Sequence, residues 1–158
     1  MHSRAEAFAE RARERYDFDP QIAEFPEGTK TAADAAEAIG CAVGQIASSL
    51  VFAVGDDLVV VVTSGANRVS EARVAAAVGV ASDAVEMADP DRVREVVGWS
   101  IGGVPPCCHA TDLPVLVDRD LTDYETVWAA AGTPSAVFPL STEQLVSLTG
   151  GTVTEVTE

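Results

Sequence analysis

Apolar positions recur along this chain at two different periods. Over Ser3–Tyr16 they fall at Ala5, Phe8, Ala9 and Ala12, the three- and four-residue spacing of one helix face. Ser3 is placed to cap this predicted helix, with Glu6 three residues on as its capping-box partner. Arg11, Arg13 and Arg15 occupy its last turns, where cations complement the helix dipole, as a solvated end or as a binding patch. A second helix is predicted over Ala32–Ile39, with Thr31 as N-cap, Asp34 as box residue and Gly40 just past its end. Residues 70–77 read as a third helix, stopped by Gly79. Pro90 at a first helical position opens a fourth, to about residue 97. Ser141 caps a last one, with Gln144 as box partner, and Gly150-Gly151 closes it.

Elsewhere the spacing suits strands. Residues 46–54 and 58–63 are apolar, β-branched runs around Gly55-Asp56-Asp57, which predicts a β-hairpin of at least half-buried strands. Shorter strands are predicted at 113–117, 126–130, 136–138 and 152–156. Helices and strands interleave, and the hairpin makes at least one strand pair antiparallel. The predicted class is therefore α/β (α+β), a mixed sheet with helices packed outside it. No Gly-x-Gly-x-x-Gly follows a strand and no P-loop is present, so nucleotide-cofactor folds lose support.

Composition narrows the picture. A chain of 158 residues, 47% of them hydrophobic, suits one domain over 1–158, with 1–19 as an N-terminal helical extension. No apolar run reaches the roughly 18 residues of a membrane span, and the charged N-terminus lacks a signal-peptide core. The expectation is a soluble, cytoplasmic protein without a membrane partner. Acidic residues number 25 against 10 basic ones, a net charge of −15, and Lys30 is the only lysine. Such a surface fits a salt-rich, halophilic cytoplasm, where screening tames self-repulsion. It also disfavours nucleic acid at low salt, leaving the arginines at 4, 11, 13, 15, 68 and 73 as the candidate phosphate contacts.

Candidate chemistry clusters in residues 98–114, rich in Gly and Pro. Pro106-Cys107-Cys108-His109 places thiols beside an imidazole, a nucleophile with its base or else two buried thiols and a loop histidine. Cys41, Cys107, Cys108 and His109 add up to a three-Cys, one-His set, but without the C-x-x-C spacing of zinc sites, so no metal and no cofactor is expected. The Gly102-Gly103 backbone can present N–H groups to an anion or oxyanion, or simply turn. Ser48-Ser49, inside an apolar strand, puts one hydroxyl on each face. Asp118 closes a strand, and Asn67 follows Gly65-Ala66 in a loop. Both suit turn duty or ligand contact.

The order of these segments adds a resemblance. Residues 29–36, Ile39-Gly40-Cys41, residues 45–52, residues 65–73, Gly98, Gly102-Gly103-Val104-Pro105-Pro106, residues 115–118 and Ala130-Ala131-Gly132 together resemble the YbaK/EbsC-like, prolyl-tRNA synthetase-associated aminoacyl-tRNA editing domain. The likeness runs from about residue 20 to the end. It implies a compact domain with a mixed, barrel-like sheet and flanking helices. It further implies deacylation of mischarged tRNA in trans, with the aminoacyl-tRNA 3′ end as partner. The alternative is an impaired member that binds an amino acid, nucleotide or tRNA end without turnover. Carried over residue by residue, Gly102 and Gly103 would hold the amino-acid carbonyl or its oxyanion, and Pro106 would shape their loop. Lys30, Ser49, Asn67, His109, Asp118 and Gly132 complete the implied substrate contacts. Two positions depart from the family pattern. The deacylases carry a lysine two residues after the Gln-Ile pair, and here that position is Ser48. The cysteinyl-tRNA branch has an aspartate where Val137 stands. Ser48 can hydrogen-bond what the lysine would have paired, but it brings no charge.

Overall fold

The structure is a computed structural model that describes residues 3–25 and 31–158. Eight strands form one mixed sheet: β1 (Ala23–Glu24), β2 (Ile46–Val54), β3 (Asp57–Ser64), β4 (Val85–Met87), β5 (Val115–Asp118), β6 (Thr126–Ala130), β7 (Ala136–Ser141) and β8 (Thr152–Thr154). Their order is β1-β7-β6-β2-β3-β5-β8, with β4 attached to β2 beside β6. The β2/β3, β2/β4, β6/β7 and β1/β7 pairs are antiparallel. The β2/β6, β3/β5 and β5/β8 pairs are parallel. Five helices flank the sheet: α1 (Ser3–Tyr16), α2 (Ala32–Ile39), α3 (Glu71–Val78), α4 (Pro90–Val96) and α5 (Thr142–Thr149).

The hairpin of β2 and β3 is the backbone of the fold. Val54 pairs directly with Asp57, so the turn is two residues long and Asp57 belongs to the strand rather than to the turn. Gly55 takes φ +62° at the first turn position, the place where a two-residue II′ turn needs glycine. In β3, Val60 and Val62 face the main core while Val59 and Val61 face a second one, and all four are at most 2% exposed. Burial on both faces explains an unbroken valine run where a half-buried strand would alternate.

α1 packs into the main core. Phe8 stacks 4.9 Å from Phe138 and meets Trp99 edge-on at 6.3 Å, and Ala5, Ala9 and Ala12 are buried beside it. On the other face α3 contributes Val74 and Ala75 to the second core. The expected caps form at Thr31 and Ser141, and Ser70, read as the first helical residue, is instead the N-cap of α3; their side chains accept the N–H of Asp34, Gln144 and Arg73. Gly40, Gly79 and Gly150 end their helices in the left-handed conformation. Residues 98–114 contain no helix or strand, yet Trp99 and residues 103–109 are buried, with Trp99, Val104, Cys107 and Cys108 in the main core.

Candidate functional site

Among the described residues, the middle of β2 lacks a neighbour on one side. Ile46 and Ala47 pair with Trp128 and Ala129 of β6, and residues 52–54 pair with β4. Between them, Ser48, Ser49 and Leu50 pair with β3 alone. The Ile46 carbonyl accepts the Gly65 N–H on the β3 side at 2.7 Å. The Val51 carbonyl accepts the Ala88 N–H on the opposite side at 3.0 Å. Strand alternation between these two points fixes the direction of Ser49. Its N–H and C=O face away from β3, into the interval between β6 and β4.

That interval opens on a groove of about 250 Å³. Its walls are apolar, built from Ile46, Val51, Trp128, Val137, Pro134 and Val104, with Met87 and Ile101 at the rim, 52% and 48% exposed. Thr31, Ser48 and Ser49 are its polar side chains, and none of the described lining residues is ionisable. The Thr31 hydroxyl already accepts the Asp34 N–H at 3.1 Å. The Ser49 hydroxyl is shut off from solvent and has no hydrogen-bond partner among the described residues.

Gly102 also lines the groove. Ser100 to Gly103 form a turn in which the Gly103 N–H donates to the Ser100 carbonyl at 3.0 Å. Gly102, at the third position, has φ +90°, as a type II turn requires. It is exposed, and no backbone carbonyl takes its N–H. Gly103 departs from its expected role. Its N–H is spent inside the turn, and a Cβ there would lie 2.7 Å from the Cα of Thr133. Close packing of two backbones requires that glycine, so the expected pair of donors reduces to Gly102.

The other expected site residues lie elsewhere. Pro106 and His109 line a second cavity of about 240 Å³ with Arg15, Tyr16, Cys107 and Cys108. His109 is nearly buried, its Nε2 donates to the Pro105 carbonyl at 2.8 Å, and burial holds its imidazole below the ordinary histidine range. Gly132, at φ +90°, sits under Trp99, where a Cβ would lie 2.7 Å from both the ring and the Arg4 carbonyl. Asp118 is 1% exposed and ties strand ends together. Its Oδ2 accepts from Thr63 Oγ1 at 3.1 Å, Ser64 N at 3.0 Å and Asn67 Nδ2 at 3.0 Å, and its Oδ1 accepts from Asp120 N at 2.9 Å. Asn67 also donates to Asp120, so both residues serve this network rather than the groove. Lys30 lies outside the described residues. Sequence reasoning missed the apolar walls, and Trp128 on a short alternating strand was their one visible signal.

Residues 26–148 match the aminoacyl-tRNA editing domain family. The chain belongs to that family. It is 31% identical to the uncharacterized protein YwhH of Bacillus subtilis (strain 168) over 125 residues, 78% of each chain. Among solved structures it is similar to a candidate trans-editing enzyme for prolyl tRNA synthetase, with 38% identity, a TM-score of 0.94 and coverage of 100% of this chain and 99% of that one. It is also similar to the hypothetical protein APE2540, with 26% identity, a TM-score of 0.84 and coverage of 96% and 99%. The mixed sheet with flanking helices is the architecture these structures share.

In this editing domain the cysteines are divided. Cys41 packs beside α2, while Cys107 and Cys108 are buried in the main core, so the three-Cys, one-His set does not assemble. Among the described residues no three His, Cys, Asp or Glu side chains are grouped to hold a metal ion. Cys108 takes φ +65°, and its carbonyl accepts the Trp99 indole N–H at 3.0 Å. The two sulfurs lie 3.9 Å apart. Donation to Cys108 and burial push the Cys107 thiol up, while the same bond, helped by Arg15 and Arg11, draws Cys108 down.

The editing domain's arginines are engaged within the chain. Arg4 and Arg15 donate to the carbonyls of Gly98 and His109, and Arg4 and Arg11 lie 4.5 and 4.8 Å from the Trp99 ring centroid. Arg13 pairs with Asp19, Arg68 with Glu158 and Arg73 with Glu155. The end of α1 is therefore tied to the core loop through Arg15, while residues 13–16 stay exposed to solvent, as expected of a solvated helix end. No helix of the described chain is long and apolar enough to cross a membrane.

Proposed function

We propose that this editing domain acts in trans as a deacylase, hydrolysing the ester that joins a wrong amino acid to a tRNA 3′ end. The observation that supports this most is the groove itself. An apolar pocket beside an open strand edge is lined by Gly102, which sits on a hydrogen-bonded turn with an N–H that no backbone carbonyl takes among the described residues. Ester hydrolysis passes through an oxyanion, and a fixed N–H aimed at it is worth about 3 kcal/mol of barrier. The apolar walls would hold an amino-acid side chain, and water would attack the carbonyl carbon from the open rim. The arginines form no continuous unpaired track, so docking rests on the terminal aminoacyl-adenosine more than on the tRNA body.

A second reading is binding without turnover. It is favoured by Ser48 standing where the deacylases have lysine, and by the absence of any ionisable side chain among the described lining residues. The two readings separate in one experiment. A panel of charged tRNAs is incubated in molar KCl with the wild type, Ser48→Lys and Gly102→Ala. Clearance of one mischarged species by the wild type, lost in Gly102→Ala, supports the deacylase. An inert wild type that gains activity as Ser48→Lys supports the binding module.

A further inference from the structure

We propose that Ser49 recognises the α-amino group of the bound aminoacyl moiety, using its hydroxyl and its main-chain carbonyl together. This rests on the reading of the groove as an aminoacyl site and assigns one end of it.

Two independent features converge on Ser49. The first is the unpaired stretch of β2, which turns the Ser49 carbonyl and N–H toward the groove instead of a neighbouring strand. A strand edge left open inside a sheet keeps unmet hydrogen-bonding capacity that a ligand can take up. The second is the Ser49 hydroxyl, shut off from water and without a partner among the described residues. Buried hydroxyls are nearly always bonded, so an orphan at a groove points to a missing ligand group.

The chemistry favours an amine. Carbonyl and hydroxyl oxygens are acceptors, and an ammonium offers donors to both. The net charge of −15 places the groove in a field that attracts a cation, and no basic side chain among the described lining residues opposes it. Gly102 lines the same groove, and its N–H, which no backbone carbonyl takes among the described residues, is a donor for the ester carbonyl. An α-amino ester carries these two groups on adjacent carbons, so it can span the interval with its side chain against the apolar walls.

The test uses two ligands that resist hydrolysis, 3′-alanylamino-3′-deoxyadenosine and its des-amino propionyl counterpart. Each is titrated calorimetrically into the wild type, Ser49→Ala and Ser49→Thr in molar KCl. The wild type is expected to bind the alanyl compound about tenfold more tightly, the size of one hydrogen bond to a charged group. Ser49→Ala removes most of that ratio while leaving propionyl affinity unchanged, and Ser49→Thr retains it. Ser49→Ala also melts no lower than the wild type, because the lost hydroxyl has no partner in the free protein. A ratio unchanged in Ser49→Ala, an equal loss for both ligands, or no binding of either ligand overturns the proposal. Amine recognition through Ser49 in a protein that clears no charged tRNA would sink the deacylase reading alone. Deacylation with a ratio indifferent to Ser49 would sink this one alone.

Discussion

Gly103 and Thr133 touch backbone to backbone, and a Cβ on Gly103 would lie 2.7 Å from the Cα and 2.9 Å from the N of Thr133. The neighbouring Gly102 is open by comparison, with the Pro134 ring 3.3 Å from its own Cβ position. Gly103→Ala is therefore expected to cost about 1–3 kcal/mol, the range of overpacked cores, and to lower Tm by several degrees. Gly102→Ala forces an alanine into φ +90° and costs about 1 kcal/mol, with its main effect on groove chemistry. Thermal melts by circular dichroism, run beside deacylation assays, would rank the pair. A larger melting loss in Gly102→Ala would reverse the assignment of the two glycines.

Asp118 holds four donors from β3, the loop after it and the turn that follows β5. Removing the carboxylate leaves those donors buried or half-buried without an acceptor. Asp118→Ala should destabilise the chain by about 3 kcal/mol, while Asp118→Asn, which keeps one amide oxygen, loses less. Neither change reaches the groove, so the folded fraction of Asp118→Asn should retain wild-type turnover. Urea unfolding combined with kcat measurements checks this, and a kcat drop in fully folded Asp118→Asn would return Asp118 to the site.

Burial depresses the His109 pKa, and the imidazole stays neutral in its cavity while donating to Pro105. The unfolded chain protonates first as pH falls below about 6.5, so it binds more protons than the native state there. Stability contributed by the neutral ring is complete above that pH and declines as pH drops toward the depressed native value. His109→Gln, which keeps an N–H donor, should flatten the slope of Tm between pH 7 and 5. A slope identical to the wild type's would show that other groups set it.

With a net charge of −15, the folded chain repels itself, and added salt screens that repulsion within a few ångströms. Tm should rise steadily between 0.1 and 2 M KCl. The exposed pairs Arg13–Asp19, Arg68–Glu158 and Arg73–Glu155 weaken over the same range, but such pairs are worth at most about 1 kcal/mol each. A flat or falling Tm in KCl would mean that the acidic residues are spaced widely enough for repulsion to be negligible.

Local chemistry made much of the fold legible. The helix over Ala32–Ile39 is fixed by its Thr31 cap and its Gly40 stop, both read from neighbours in sequence. The hairpin is legible in its two β-branched runs, though the charge of Asp57 suits the turn and its direct pairing with Val54 is invisible in sequence. β4 went unread, since Val85-Glu86-Met87 is too short to show a period. The site was less legible. Ser48, Ser49 and Gly102 do share the groove, but His109, Asp118 and Gly132 differ from them only in where the chain carries them.

What the sequence determined by itself is therefore the set of local decisions: helix ends, a hairpin of at least half-buried strands, and an order of motifs specific enough to imply its family. These follow from interactions within a few residues, which spacing encodes directly. The tertiary structure alone decided which polar groups remain unspent. Gly103 gave its N–H to a turn and Asp118 its oxygens to strand ends. Ser49 was left open because β6 and β4 pair the two ends of β2 and stop short of its middle. Those outcomes depend on strands dozens of residues apart, and no local pattern records where two partners of the same strand will end.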